Sequence, residues 1–252
     1  MLEYRRAWQA KALSNNTLLD ETNEWLKQTV ESFAAIGLIA RPQFIRRPER
    51  SDTMQLLVAR DGKISGIAVE RETELHSLNL VSTKLPEVAG PQYFVCTNAK
   101  RDVCCAKFGR PTFAALHRAV PDRAWQTTHV GGHRYAPNVL SLPQGTLYGR
   151  VMADDVARFL QQTERNEVAR EFLRGQTLYS KVAQTAEHAL ATQLAEDGSN
   201  AKLIRETDSS ATFATDKGVH EVEVTASQTA IKIVPSCGKP AEEVRPLIAR
   251  LP

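Results

Sequence analysis

Residues 92–105 read QYFVCTNAKRDVCC. The first five, aromatic and apolar with no polar alternation after Gln92, have the pattern of a strand buried on both faces that ends in a cysteine. Between Cys96 and Cys104 lie Thr, Asn, Ala, Lys, Arg, Asp and Val, a mostly polar stretch. Free cysteine is usually core packing, but a polar loop between cysteines is a loop wrapped around something. Downstream, Gly109-Arg110-Pro111 opens a helix predicted to run from Pro111 to about Val120, because proline suits a first helical position and Phe113, Leu116, His117 and Val120 share one face. A strand over 124–130 (AWQTTHV), a hairpin over 138–152 with Pro143-Gln144-Gly145 at its tip, and a helix over 154–162 follow. The order strand, helix, strand, hairpin, helix defines a small α/β unit at about 89–165.

Outward from this unit, residues 1–88 form an N-terminal α+β segment. It has a helix over 18–36, a hairpin of 55–59 and 64–70 around Asp61-Gly62, and a strand over 75–83. Residues 166–252 form a C-terminal α+β segment, expected to pack with the N-terminal one. A long helical region over 166–196 precedes alternating runs at 201–206, 210–215, 219–225 and 229–235, and AEEVRPLIAR at 241–250 reads as a terminal helix interrupted at Pro246.

Composition removes several function classes. The chain has 252 residues, 42% hydrophobic and 24% charged, which fits a folded globular protein. Its longest apolar run, FAAIGLIA at 33–40, is far short of the roughly 18–20 residues of a membrane span. The N-terminus lacks the apolar core of a secretory signal, so a cytoplasmic location is expected and the sequon at Asn15 carries no weight. Net charge is only +3, and the cluster Arg41, Arg46, Arg47, Arg50 has no aromatic interleaving, which argues against nucleic acid. Three of the four cysteines fall in residues 96–105, a pattern that in a reducing compartment indicates metal or redox chemistry rather than a disulfide framework.

A second constellation, His129-Val-Gly-Gly-His133, follows the 124–130 strand. Its diglycine disfavours a helix and lets a loop fold closely around a group. Two cysteines and two histidines make a four-ligand set for zinc or an iron-sulfur centre. Zinc sites usually begin with a two- to four-residue cysteine spacing, not the seven or eight found here. Neighbours in sequence point different ways, so one of Cys104 and Cys105 is the second ligand and the other is spare. Arg101 and Asp102 either orient this loop or form a local ion pair. His76, His117, His188 and His220 have no partner motif, and Cys237 is a packing residue or a surface thiol. No Gly-x-Ser-x-Gly elbow, Walker A or Gly-x-Gly-x-x-Gly run occurs, so any reductase is a separate partner.

The combination CTNAKRDVCCAKFG (96–109), HVGGHRYAPNVLSLPQG (129–145) and LYGRV (147–151) resembles the sucrase/ferredoxin-like family, whose metal-bearing part is similar to thioredoxin-like 2Fe-2S ferredoxins. The resemblance covers about 92–152, with PSCG around Cys237 a looser match. It implies an α/β fold with a thioredoxin-like ferredoxin domain. It also implies a 2Fe-2S cluster held by Cys96, Cys105, His129 and His133 in a non-Rieske arrangement, with both histidines on one iron and Cys104 the alternative ligand. Two thiolates and two neutral imidazoles leave an oxidised core near zero charge, which raises the potential, and the second, titratable imidazole N–H ties it to pH where that edge is exposed. An electron-transfer or redox-sensing protein is expected, rather than an enzyme. The alternatives are a structural zinc module with the same ligands and a thiol oxidoreductase using Cys104 and Cys105. Oligomeric state stays open.

Overall fold

The computed structural model describes residues 1–49, 51–193 and 201–250. Its centre is β5 (Gln92–Cys96), buried along its whole length. Strand β6 (Ala124–Thr127) lies parallel to β5 on one side, and β7 (Asn138–Leu142) antiparallel on the other. The parallel neighbour needs a crossover, supplied by α2 (Val103–Ala119). The hairpin partner β8 (Thr146–Gly149) pairs with β7, and α3 (Val156–Thr163) follows it. This βαβ–ββα arrangement is thioredoxin-like.

Period two along β5 separates two apolar layers. Tyr93 and Val95 join Phe113 and Leu116 of α2, Phe159 of α3 and Phe172 in one cluster. Phe159 sits at the centre of that layer, edge-on to Tyr93, Tyr148 and Phe172. Phe94 joins Trp125, Leu140 and Leu142 in the other layer, which also takes Ile45, Leu57 and Ile64. Those last three belong to N-terminal strands that extend the same sheet. They are β2 (Phe44–Arg46), β3 (Met54–Arg60) and β4 (Lys63–Val69), with β1 (Leu2–Glu3) between β2 and β3. With β9 (Leu173–Gln176) at the far side, the order is β4-β3-β1-β2-β6-β5-β7-β8-β9, a curled nine-stranded sheet.

The expected hairpin at Asp61-Gly62 is β3–β4, with both turn residues at positive φ, as a tight two-residue hairpin turn requires. The expected first helix is α1 (Asp20–Ala35). The chain segments 86 and 88 run along β4, where Gly66 N donates to the Pro86 carbonyl and Val88 N to that of Ile64. Along β9, Gln176 N donates to Glu187 Oε2 and Gln184 Nε2 donates to the Gln176 carbonyl.

Both of those side chains come from α4 (Lys181–Gln193), which also covers a second sheet. Its Ala183, Ala186 and Leu190 pack on Ala211, Phe213, Val222 and Val224. The sheet is β10 (Lys202–Glu206), β11 (Ser210–Thr215), β12 (Gly218–Ala226) and, last in the chain, β15 (Leu247–Arg250). Strands β13 (Ile231–Ile233) and β14 (Glu242–Val244) form a separate pair.

Four expectations are corrected. Helix α2 begins at Val103, not Pro111. The proline lies inside it on the exposed side, where water can satisfy the carbonyl that its missing N–H leaves free. Residues 75–83 are not a strand. A 3-10 turn over Glu72–Ser77 leads into a bend that drops Leu75 and Leu78 into the cluster around Trp25, and this three-residue step suits a 3-10 turn. The long helix over 166–196 is divided into a 3-10 turn at Arg170–Phe172, β9 and α4, with Gly175 at positive φ; residues 194–196 of that expectation lie outside the described residues, as does Arg50. The terminal helix is instead β14 and β15. Pro246 disfavours helical backbone at Arg245, and alternate residues Leu247 and Ala249 meet the α4 cluster.

Candidate metal centre

Cys96 ends β5 and is completely buried. The chain then turns on Asn98, whose carbonyl accepts the N–H groups of Arg101 and Asp102, and enters α2 at Val103. Cys104 and Cys105 therefore share the first helical turn, about 100° apart around its axis. Cys105 is fully buried, while Cys104 is half-buried. Gly109, one turn on, brings α2 against the sheet, since a Cβ there would stand 2.3 Å from the Cys96 carbonyl oxygen.

His129 follows β6 closely. Gly131 and Gly132 both have positive φ, and Arg174 fills the space where a Gly132 side chain would go, donating to the Gly131 carbonyl and to Asn138 Oδ1. Burial lowers the Arg174 pKa to about 10. The loop thus delivers His133 at the start of a single 3-10 turn.

These residues gather as two triplets. His129 Nδ1 is 3.8 Å from Cys96 Sγ and 3.5 Å from Cys105 Sγ. His133 Nδ1 is 3.5 Å from Cys104 Sγ and 3.6 Å from Cys237 Sγ, and the two sulfurs are 3.3 Å apart. Sulfur and imidazole ligands at roughly 2.3 and 2.0 Å from a tetrahedral ion lie about 3.5 Å from each other. The sulfur-to-nitrogen spacings therefore fit soft-metal coordination. The structure places the four expected ligands in one region, with Cys105, not Cys104, beside Cys96, and with the two histidines in different triplets.

Asp102 stands between the triplets, 3.7 Å from His129 Nε2 and 3.9 Å from His133 Nδ1. Although buried, its carboxyl is held below the ordinary range by hydrogen bonds from the Ser236 hydroxyl and the Cys237 N–H. The orienting role is therefore the one the geometry supports, and Arg101 is exposed. His133 Nε2 donates to the Val234 carbonyl, which leaves Nδ1 as the lone-pair edge facing the sulfurs. A hydrogen bond from Cys105 holds the Cys96 thiol well below its usual range against the effect of burial, and raises Cys105 in turn. Cys104 is pushed up to about 11 by burial and by its contact with Cys237.

Cys237 is the residue that the sequence reading missed. It lies 133 positions from Cys104, and no motif spacing links the two. The remaining histidines stand elsewhere: His76 on Thr22, His117 on Glu49, His220 on Thr215, and His188 on α4.

Fold and site together define an α/β protein with a thioredoxin-like core and a cysteine–histidine centre at the end of its middle strand. Residues 1–175 match the sucrase/ferredoxin-like family, and the chain belongs to that family. A relative, altered inheritance of mitochondria protein 32 from Debaryomyces hansenii, is 27% identical over 107 residues, 38% of this chain and 39% of its own length. The chain thus aligns with about two-fifths of that relative. Among solved structures, a thioredoxin-like [2Fe-2S] ferredoxin from Aquifex aeolicus is similar at 17% identity and TM-score 0.33, over 36% of this chain and 96% of that one. A cysteine-to-serine variant of that ferredoxin gives 19% identity and TM-score 0.30, over 34% and 99%. No helix among the described residues is long and apolar enough to cross a membrane.

Proposed function

We propose that this protein carries one 2Fe-2S cluster on Cys96, Cys105, His129 and His133 and works as an electron carrier or redox sensor, not as an enzyme. The observation that carries this reading is the buried triplet of Cys96, Cys105 and His129 at the end of β5, with His133 next to it across Asp102. When bound, such a cluster takes up and returns one electron, at a potential that histidine ligation moves from about −400 mV towards the range of about −150 to +300 mV.

The chain's own residues prepare that chemistry. Cys105 supplies the hydrogen bond that favours Cys96 as thiolate, the form that binds metal. The Val234 carbonyl fixes the His133 tautomer so that Nδ1 keeps its lone pair, on the side where Cys104 and Cys237 lie. His129 turns Nε2 towards Asp102, and its side chain is partly open to solvent. Beside it opens a hollow lined by Lys11, Leu13, Gln43, Asn98, Arg101 and Thr128, the approach we assign to a separate reductase whose docking face is acidic. A reducing compartment such as the cytosol suits the free thiols.

Iron, acid-labile sulfide and the visible spectrum, measured on protein purified without oxygen, test the proposal. Two irons and two sulfides per chain are expected, with a potential that falls as pH rises in voltammetry. One zinc ion and no sulfide would replace this reading with a structural metal module.

A further inference from the structure

We propose that Cys104 and Cys237 form a redox-active dithiol, closed by exchange with a low-molecular-weight disulfide, and that its closure fastens the C-terminal loop over the His133 side of the site. The two sulfurs are 3.3 Å apart. A disulfide requires about 2.05 Å, so a side-chain approach of little more than an ångström completes the bond. The doublet Cys104-Cys105 does not supply the pair, because Cys105 is fully buried and turned to Cys96 and His129.

The loop bearing Cys237 is held in place by backbone contacts as well as by its thiol. Ser236 Oγ and Cys237 N both donate to Asp102 Oδ1, and the Val234 carbonyl accepts from His133 Nε2. Lys239 N donates to the Ser236 carbonyl across a turn in which Gly238 takes positive φ. Residues 234–237 are thereby tied to His133 and to Asp102 at the start of α2, and the turn after the thiol closes on Ser236. Cys237 is exposed and meets a reagent first, with half-buried Cys104 behind it.

The exchange balances without a metal. The Cys237 sulfur attacks one sulfur of the small disulfide and releases one small thiol, leaving a mixed disulfide. The Cys104 sulfur then attacks Cys237 and releases the second small thiol. One S–S bond breaks in the reagent and one forms in the protein. Two electrons pass from the protein thiols to the reagent, and both protons leave on the released thiols. Neither cysteine is among the four assigned cluster ligands, although both sulfurs touch the assigned ligand His133, so the test includes an outcome in which a bound metal holds the thiols.

The test exposes the full chain, purified without oxygen, to oxidised glutathione, blocks remaining thiols at acidic pH, and maps the peptides by mass spectrometry. The expected result is loss of two of the four thiols, a peptide pair linking Cys104 to Cys237, its reversal by dithiothreitol, and its absence from Cys104→Ser and Cys237→Ser. Circular dichroism of Cys237→Ser, altered at an exposed position, controls for folding. Any of three results would overturn the proposal: a Cys96–Cys105 link as the main product, a glutathione adduct that stays on Cys237, or thiols that react only after a chelator is added.

Discussion

Cys96, Cys105 and His129 come from one strand end, one helical turn and the exit of the next strand, within 33 positions of chain. Cys104, His133 and Cys237 meet only because a loop from the far end of the sequence is tied down on Asp102. The inner triplet is thus part of the thioredoxin-like core and inherits its rigidity from packing. The outer triplet is an assembly of two units, and its third donor stays in place by a few hydrogen bonds. Each such bond contributes about 1 kcal/mol, more where the acceptor is charged.

The sharpest way to break this comparison is to remove one sulfur from each side. Cys105→Ser is expected to abolish the visible iron-sulfur absorption, whereas Cys237→Ser retains it; equal loss in both variants would erase the distinction between the halves. A smaller effect should come from Gly109→Ala, which drives a methyl group into the Cys96 carbonyl and forces α2 away from β5. Denaturant unfolding should show a loss of about 3 kcal/mol. An unchanged midpoint would mean that the inner half tolerates looseness at its floor.

The smallest expected effect concerns the seat of the unit that carries the outer half. Burial raises the Glu187 pKa to about 7, against its hydrogen bond from Gln176 N. The folded state therefore holds a proton that the unfolded state, with an ordinary carboxyl near 4.3, has released. Stability from this group is complete below the unfolded value and declines as pH rises towards 7, by about 1–2 kcal/mol after allowance for relaxation around the charge. Glu187→Gln should flatten that decline and be the more stable protein at pH 8, read from paired thermal melts at pH 5 and pH 8. Parallel pH profiles for the two proteins would contradict the assignment.

The inner half was legible because its signals are local. A continuous apolar strand ending in cysteine, a polar loop and a diglycine between histidines each declare themselves in a short window, as does the Asp-Gly hairpin of β3 and β4. The start of α2 was hidden. Pro111 looks like a first helical residue, whereas the helix actually begins beside Asp102, a residue held by partners 134 and 135 positions away. Cys237 was illegible for the same reason, since its neighbours Asp102, Cys104 and His133 lie 104 to 135 positions away. The last strands were misread because Ala, Glu and Arg favour helix locally, while Leu247 and Ala249 answer to the α4 cluster.

The margins of the nine-stranded sheet carry a consequence for how this protein meets others. A bare outer strand invites strand donation from a neighbouring molecule and, at worst, filament growth. Here β4 is already bonded by residues 86 and 88, and β9 has a glutamate and a glutamine from α4 occupying the N–H and carbonyl of Gln176. Backbone-to-backbone recruitment is blocked at those positions. Along these two margins, encounters are left to side-chain surfaces, which can part again after each meeting.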